Sequence, residues 1–446
     1  MMRIPRLGAA LALALALGAC STVSNINPFH HKAAPSTAAK GVRIPVIALN
    51  DQLKVSDTLQ GQDFFLPPPA PQVDWPLPGG NPNQSVEHVL AAPNFTIAWR
   101  RGIGDASSRT HEVTAPPIAA EGRVFVMDGA ADVSAHDQVT GAQIWRTNVM
   151  PKSRRDHEAW GGGVAYADGK IFVSSGFREV VALNAATGKL IWRSPMEAPP
   201  HAAPTVYDGR VFVVDVNNEL FAFDANTGIQ DWTYQALTEP ARILAASSPA
   251  VDNETVVAAF GSGELVAVRA ANGNELWNAS LARASRTNAL SEIRDIAGRP
   301  VIYRSDVYAV SHSNVFAAVD LRTGQARWTL PISAITTPWA AGDVVYVVDL
   351  AGEVICVARD SGQVYWIHDL NGGVKKRRDR AVWSSPILAS NRLIVVSSKG
   401  EAVALNPKTG ALDRRLRIGS DALIGPIAVN GTIYIVTQSA QLIAIR

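Results

Sequence analysis

The 446-residue sequence predicts an all-β fold, an eight-bladed β-propeller of four-stranded antiparallel blades, on three observations. A short motif returns at a nearly constant interval. A pair of short strands with a tight turn precedes each copy, and the chain stops part-way through one copy more. A repeat of this period marks a radial or stacked architecture, in which each unit buries its apolar face only against its neighbours.

The motif reads A-x-D-x-x-T-G-x-x-x-W with substitutions and occurs seven times: Ala135 to Trp145, Ala182 to Trp192, Ala222 to Trp232, Ala267 to Trp277, Ala318 to Trp328, Cys356 to Trp366, and Ala404 to Arg414. Glycine is kept in every copy, as Gly141, Gly188, Gly228, Gly273, Gly324, Gly362 and Gly410, whereas the indole fails only in the last, at Arg414. Successive motif ends, counted from Trp99, lie 38 to 51 residues apart, the length of one four-stranded blade.

Each position has a physical reason. An Asp or Asn three residues before Thr suits a turn in which the polar side chain bonds the backbone, and Gly supplies the positive φ of a bulge, so the turn joins two antiparallel strands. Alanine and tryptophan then face each other on neighbouring strands, where the small residue leaves room for an indole to cover the seam between sheets. Cys356 stands at an alanine position and reads as a small buried apolar residue. Upstream strand pairs are expected to turn at Glu121-Gly122, Asp168-Gly169, Asp208-Gly209 and Asn430-Gly431. The final run, Leu442 to Arg446, begins an eighth unit whose missing outer strand is expected from Phe95 to Arg101, around Trp99. Closing the ring with an N-terminal strand removes an exposed sheet edge.

Ahead of the repeats, residues 1–19 read as a signal peptide, with Arg3 and Arg6, an apolar run from Leu7 to Leu17, and small residues up to Cys20. That run is too short to span a membrane. Residues 20–94 are punctuated by proline and are expected to form an extended tether, in which Trp75, set among turn formers from Asp74 to Asn81, packs onto the following domain. Residues 95–446 make the propeller. A net charge of +2 argues against a nucleic-acid partner bound through bulk electrostatics. The nine histidines show no zinc spacing, and neither a nucleophile elbow nor a phosphate loop is present, so no catalytic residue, metal or cofactor is expected.

Leu17-Gly18-Ala19-Cys20 resembles the lipobox of bacterial lipoproteins, which implies acylation of Cys20 and, with Ser21 rather than Asp following, sorting to the outer membrane. The region from about Phe95 to the end resembles the PQQ-type propeller repeat, found in quinoprotein dehydrogenases and in the BamB family of outer-membrane lipoproteins. The lipobox, the length and the terminal closure are similar to the second. That resemblance implies a non-enzymatic scaffold of the β-barrel assembly machinery on the periplasmic face. It implies docking to a POTRA domain of BamA, and contact with nascent outer-membrane proteins. The alternative is a PQQ-dependent dehydrogenase-like enzyme or sensor, although the chain has no adjacent cysteine pair. Two loops fall where the family docks. In the first, Ile243 replaces a leucine and Leu244 stands where an arginine would fall. In the second, which includes Arg294, Asp295 matches one of two acids, and it could instead pair with Arg294 or Arg299.

Loops from an outer strand to the next inner strand all emerge on one face. There the sequence also places Lys152 to His157 and the basic run Lys375 to Arg380, each either a solvated loop or a contact for an acidic partner or lipid headgroups. Trp160, Trp339 and Trp383, near the starts of inner strands, either line the channel mouth or fill the core.

Overall fold

The dipeptides Glu121-Gly122, Asp168-Gly169, Asp208-Gly209 and Asn430-Gly431 each take positive φ at both residues, 46–51° and then 71–72°. This is the two-residue hairpin geometry whose twist matches that of the flanking strands. Such turns set the register of a repeated unit. The computed structural model describes residues 53–151, 160–238, 247–282 and 293–446. Within them, 32 strands form eight four-stranded antiparallel sheets. Seven blades use consecutive strands, over residues 118–148, 162–195, 205–235, 250–280, 301–330, 339–369 and 387–417. The eighth takes its three inner strands from residues 427–445 and its outer strand from Ile97–Gly102, with Trp99 opposite Ala444. The fold class read from the repeat, including closure by the N-terminal strand, is the observed one.

Within a blade, the motif's alanine lies between two rings. Ala135 pairs with Trp145 on one side and Phe125 on the other, and the two rings lean over its methyl group to a centroid distance of 6.0 Å. The same row recurs as Phe172 and Trp192, Phe212 and Trp232, Tyr308 and Trp328, Tyr346 and Trp366, and Tyr434 and Trp99, all at 5.9–6.1 Å. Tilted pairs of this kind add about 0.5–1.5 kcal/mol each beyond burial. Cys356 occupies the alanine place opposite Trp366 with no exposure, and burial pushes its thiol well above the ordinary value.

Between blades, the indole reaches the next copy of the motif. Trp99 Nε1 donates to Val139 O at 2.9 Å, Trp145 to Ala185 O at 2.9 Å, Trp192 to Ala225 O at 3.2 Å, and Trp232 to Ala270 O at 3.0 Å. Trp277 donates to Leu321 O and Trp328 to Arg359 O, both at 2.7 Å, and Trp366 to Pro407 O at 3.2 Å. Under each of these seven indoles lies the glycine of the following turn, with φ of 68–73°. A methyl group on Gly273 would stand 2.5 Å from the Trp232 ring. At the last seam Arg414 takes the indole's place and donates from Nη1 to Asn94 O at 3.0 Å.

The turn itself is held by its acid. Asp137 Oδ1 accepts from the Thr140 N–H and Oγ1–H, both at 2.8 Å, and Asp224 and Asp320 repeat the arrangement with Thr227 and Thr323. These bonds hold all three carboxyls below the usual Asp value.

Two substitutions separate the roles of glycine. Gly122→Ala, where a new methyl meets nothing within 4 Å, is expected to cost only the roughly 1–2 kcal/mol of left-handed backbone. Gly273→Ala is expected to cost about 1–3 kcal/mol more, because the methyl collides with the Trp232 ring. Urea-unfolding midpoints of the two variants measure the difference.

Candidate functional site: the channel plug and the loop rim

In a propeller the innermost strand of each blade leaves one row of backbone N–H and C=O groups facing the central channel, and buried groups of this kind need partners. Residues 72–92 supply them. Trp75 exchanges backbone bonds with Ala119, Tyr166 N donates to Pro76 O, Val251 N to Pro82 O, and Ile302 N to Asn83 O, at 2.6–2.9 Å. Val89 N donates to Leu388 O and Ala92 N to Gly431 O. Two side chains complete the circuit. Gln84 Nε2 reaches Thr205 Oγ1 at 3.3 Å, and Trp339 Nε1 donates to Glu87 O at 2.6 Å. The segment therefore touches all eight blades and closes the channel like a plug.

This differs from the extended tether expected up to residue 94. Leu53–Arg446 is one compact unit, and Phe64, Trp75, Leu77, Val89 and Ala92 are buried in it. Proline-rich backbone makes no internal hydrogen bonds, so the same composition that suits a linker also leaves a chain free to satisfy the edges of others. Trp75, expected to pack onto the domain, is 1% exposed and stacks on Trp339 with centroids 6.4 Å apart and planes 17° apart.

At the starts of the innermost strands a further series of bonds ties blades three to seven together. Thr205 Oγ1 donates to Pro249 O at 2.7 Å and Ser247 Oγ to Gly298 O at 3.0 Å. Arg299 N donates to Thr337 Oγ1 at 3.1 Å, and Thr337 N to Ser385 Oγ at 2.8 Å. Reading the repeat by its turns and indoles missed this belt. The available signal was proline, which immediately precedes the innermost strand in seven blades, as Pro117, Pro204, Pro249, Pro300, Pro338, Pro386 and Pro426. A residue without an N–H is tolerated at the start of such an edge.

Of the residues expected at a partner contact, Arg294 and Asp295 lie between the outer strand Glu275–Ser280 and the innermost strand Val301–Tyr303. Ile243 and Leu244 lie outside the described residues, as do Cys20, the lipobox and Lys152 to His157. Arg294 is half-buried and packs over Gly263. Asp295 is only 1% exposed, and its backbone carbonyl accepts from His312 N at 2.9 Å. Arg299 forms no pair with it, which removes one of the partners considered for that acid. Of the three tryptophans, Trp339 faces the channel against the plug, Trp383 is buried with Nε1 donating to Asn371 Oδ1 at 3.4 Å, and Trp160 is 37% exposed at the rim. The basic run contains one short 3-10 turn, Arg377–Asp379, with no buried residue. Among the described residues, no three His, Cys, Asp or Glu side chains converge as metal ligands.

A family model described as "Outer membrane protein assembly factor BamB" matches residues 129–368. The chain belongs to the BamB family. Among curated relatives, the outer membrane protein assembly factor BamB of Shewanella oneidensis is 25% identical over 355 residues, 78% of this chain and 87% of that protein. The protein of the same description from Salmonella typhimurium is 26% identical over 359 residues, 78% of this chain and 88% of its own length. Among solved structures, BamB from Moraxella catarrhalis superposes with a TM-score of 0.67 at 19% identity, covering 78% of this chain and 99% of that one. The quinohemoprotein alcohol dehydrogenase of Comamonas testosteroni superposes with a TM-score of 0.66 at 15% identity, over 84% and 80% of the two chains. At such identities the superpositions speak for the fold, which BamB proteins and quinoproteins share.

Trp75→Ala is expected to destabilise the protein by about 3–5 kcal/mol, the usual cost of deleting a large buried aromatic side chain. It also unseats the plug. Limited proteolysis should then cut within residues 53–94 at protease levels that leave the wild type intact.

Proposed function

We propose that this BamB-family protein is a non-enzymatic scaffold subunit of the β-barrel assembly machinery, held at the periplasmic face of the outer membrane by a lipid on Cys20. In this reading it binds a POTRA domain of BamA through the loop face and supports the folding and insertion of outer-membrane β-barrel proteins, which it contacts as nascent chains. Family membership carries the reading. The architecture supports it, because a ring locked at every described seam and plugged through its middle is a stiff frame on which loops can be presented to a partner.

The contact surface is assigned to the two loops around Ile243 and Leu244 and around Arg294 and Asp295. Asp295 is 1% exposed while Arg294 is half-buried, so a substitution at Asp295 would disturb the loop as well as any contact, and the test falls on Leu244 and Arg294. Leu244→Asp is therefore expected to weaken capture of BamA about tenfold or more, about 1.4 kcal/mol or more, with an unchanged circular-dichroism spectrum. Binding of the purified partners by calorimetry measures this. Undiminished affinity in both Leu244→Asp and Arg294→Glu would place the contact elsewhere on the ring.

The lipid anchor has its own test. In Cys20→Ser, incorporation of labelled palmitate should be lost and the protein should move from the membrane fraction to the soluble periplasmic fraction. Titration with PQQ and calcium addresses the dehydrogenase-like alternative, for which a bound quinone chromophore is the diagnostic. No uptake is expected of a scaffold.

A further inference from the structure

The channel is not filled completely by the plug. Where its residues Trp75, Gly79 and Gln84 meet the belt before the innermost strands, a cavity of about 30 Å³ remains, bordered by Arg299, Thr337 and Ser385. That volume holds about two water-sized occupants.

The polar atoms around it are unbalanced. Arg299 Nε is buried and has no acceptor among the described residues. Burial alone pulls this guanidinium down to about 10, and no carboxylate contributes to its surroundings. Thr337 Oγ1 and Ser385 Oγ already accept backbone N–H groups from Arg299 and Thr337, so each hydroxyl keeps its own hydrogen to donate. Gln84 Oε1, also buried, is the one side-chain acceptor there without a donor among the described residues. The cavity thus offers a fixed positive charge and hydroxyl donors, and lacks a counter-charge.

Water alone answers only half of this. A water molecule accepts from Nε–H, but it leaves uncompensated the charge of a largely buried guanidinium, whose Nε is shut off from solvent. A monatomic anion satisfies the donor and the charge together. We propose that the cavity is a binding site for a small inorganic anion of halide size, held by the Arg299 guanidinium and the hydroxyls of Thr337 and Ser385. A water molecule beside the anion donates to Gln84 Oε1. Room for about two water-sized occupants favours a monatomic anion over sulfate or phosphate. Since Gln84 belongs to the plug and Arg299, Thr337 and Ser385 to three successive blades, the anion pins the N-terminal segment to the ring.

Bromide tests the assignment directly. In crystals of the wild-type protein grown in sodium bromide, an anomalous peak is expected about 3.3 Å from Arg299 Nε. An empty channel, or peaks confined to the protein surface as adventitious ions only, overturns the proposal. In solution, replacing gluconate by chloride at equal ionic strength should raise the thermal midpoint of the wild type by about 2–4 °C. Arg299→Gln, and independently Arg299→Met, should remain folded by circular dichroism and lose that chloride-specific increment. An equal increment in the variants, or an equal one from sulfate, rules out a halide-sized site at Arg299.

Discussion

The structure depends on one contact repeated around the ring: the indole of one blade lies on the turn glycine of the next and donates its N–H to a carbonyl of that same turn. Seven seams are made this way, at 2.7–3.2 Å. Each bond has a net worth of about 1 kcal/mol, so the larger share comes from burying the ring face. The contact is also directional, since a tryptophan always reaches forward to the following copy. A set of head-to-tail contacts of this kind must either close into a ring or continue without limit. Here it closes, because the first indole, Trp99, sits on the last blade and covers Gly141 of the first.

The eighth seam shows what the indole contributes. There the carbonyl that receives blade seven comes from Asn94, just after the plug, and the donor is the guanidinium of Arg414. The hydrogen bond is reproduced while the broad apolar cover is not. The closure relies on strand pairing between Ile97–Gly102 and Gln441–Ile445.

Closing a ring by its seams leaves a second requirement at its centre. The innermost strands need partners for their channel-facing backbone, and residues 72–92 provide them to five of the blades and reach the other three by side-chain or turn contacts. The BamB-family loop face is therefore mounted on a frame tied twice, by indoles within the wall and by hydroxyls and plug along the channel. Such a frame suits a surface that binds without rearranging, in which loops change from protein to protein while their bases stay still.

Much of this was legible beforehand because the repeat is local: alanine, acid, Thr-Gly and tryptophan sit within eleven residues and specify one hairpin. The aromatic partners on the second strand and the prolines before the innermost strands were also present in the chain, but their meaning appears only when three strands, or two blades, are laid side by side. Asp295 is a similar case. As a letter in a loop it reads equally as a contact or as an ion-pair partner, and only the folded chain shows that it is 1% exposed.

Sequence alone determined the architecture, the number of blades and the closing strand, since periodicity and turn chemistry are properties of neighbouring residues. Tertiary structure decided the rest: that residues 72–92 before the repeats plug the channel, that Arg299 faces a cavity without a counter-charge, and that each motif glycine answers to a tryptophan about forty residues earlier. Those facts depend on which distant segments share a small volume, and no local pattern records it.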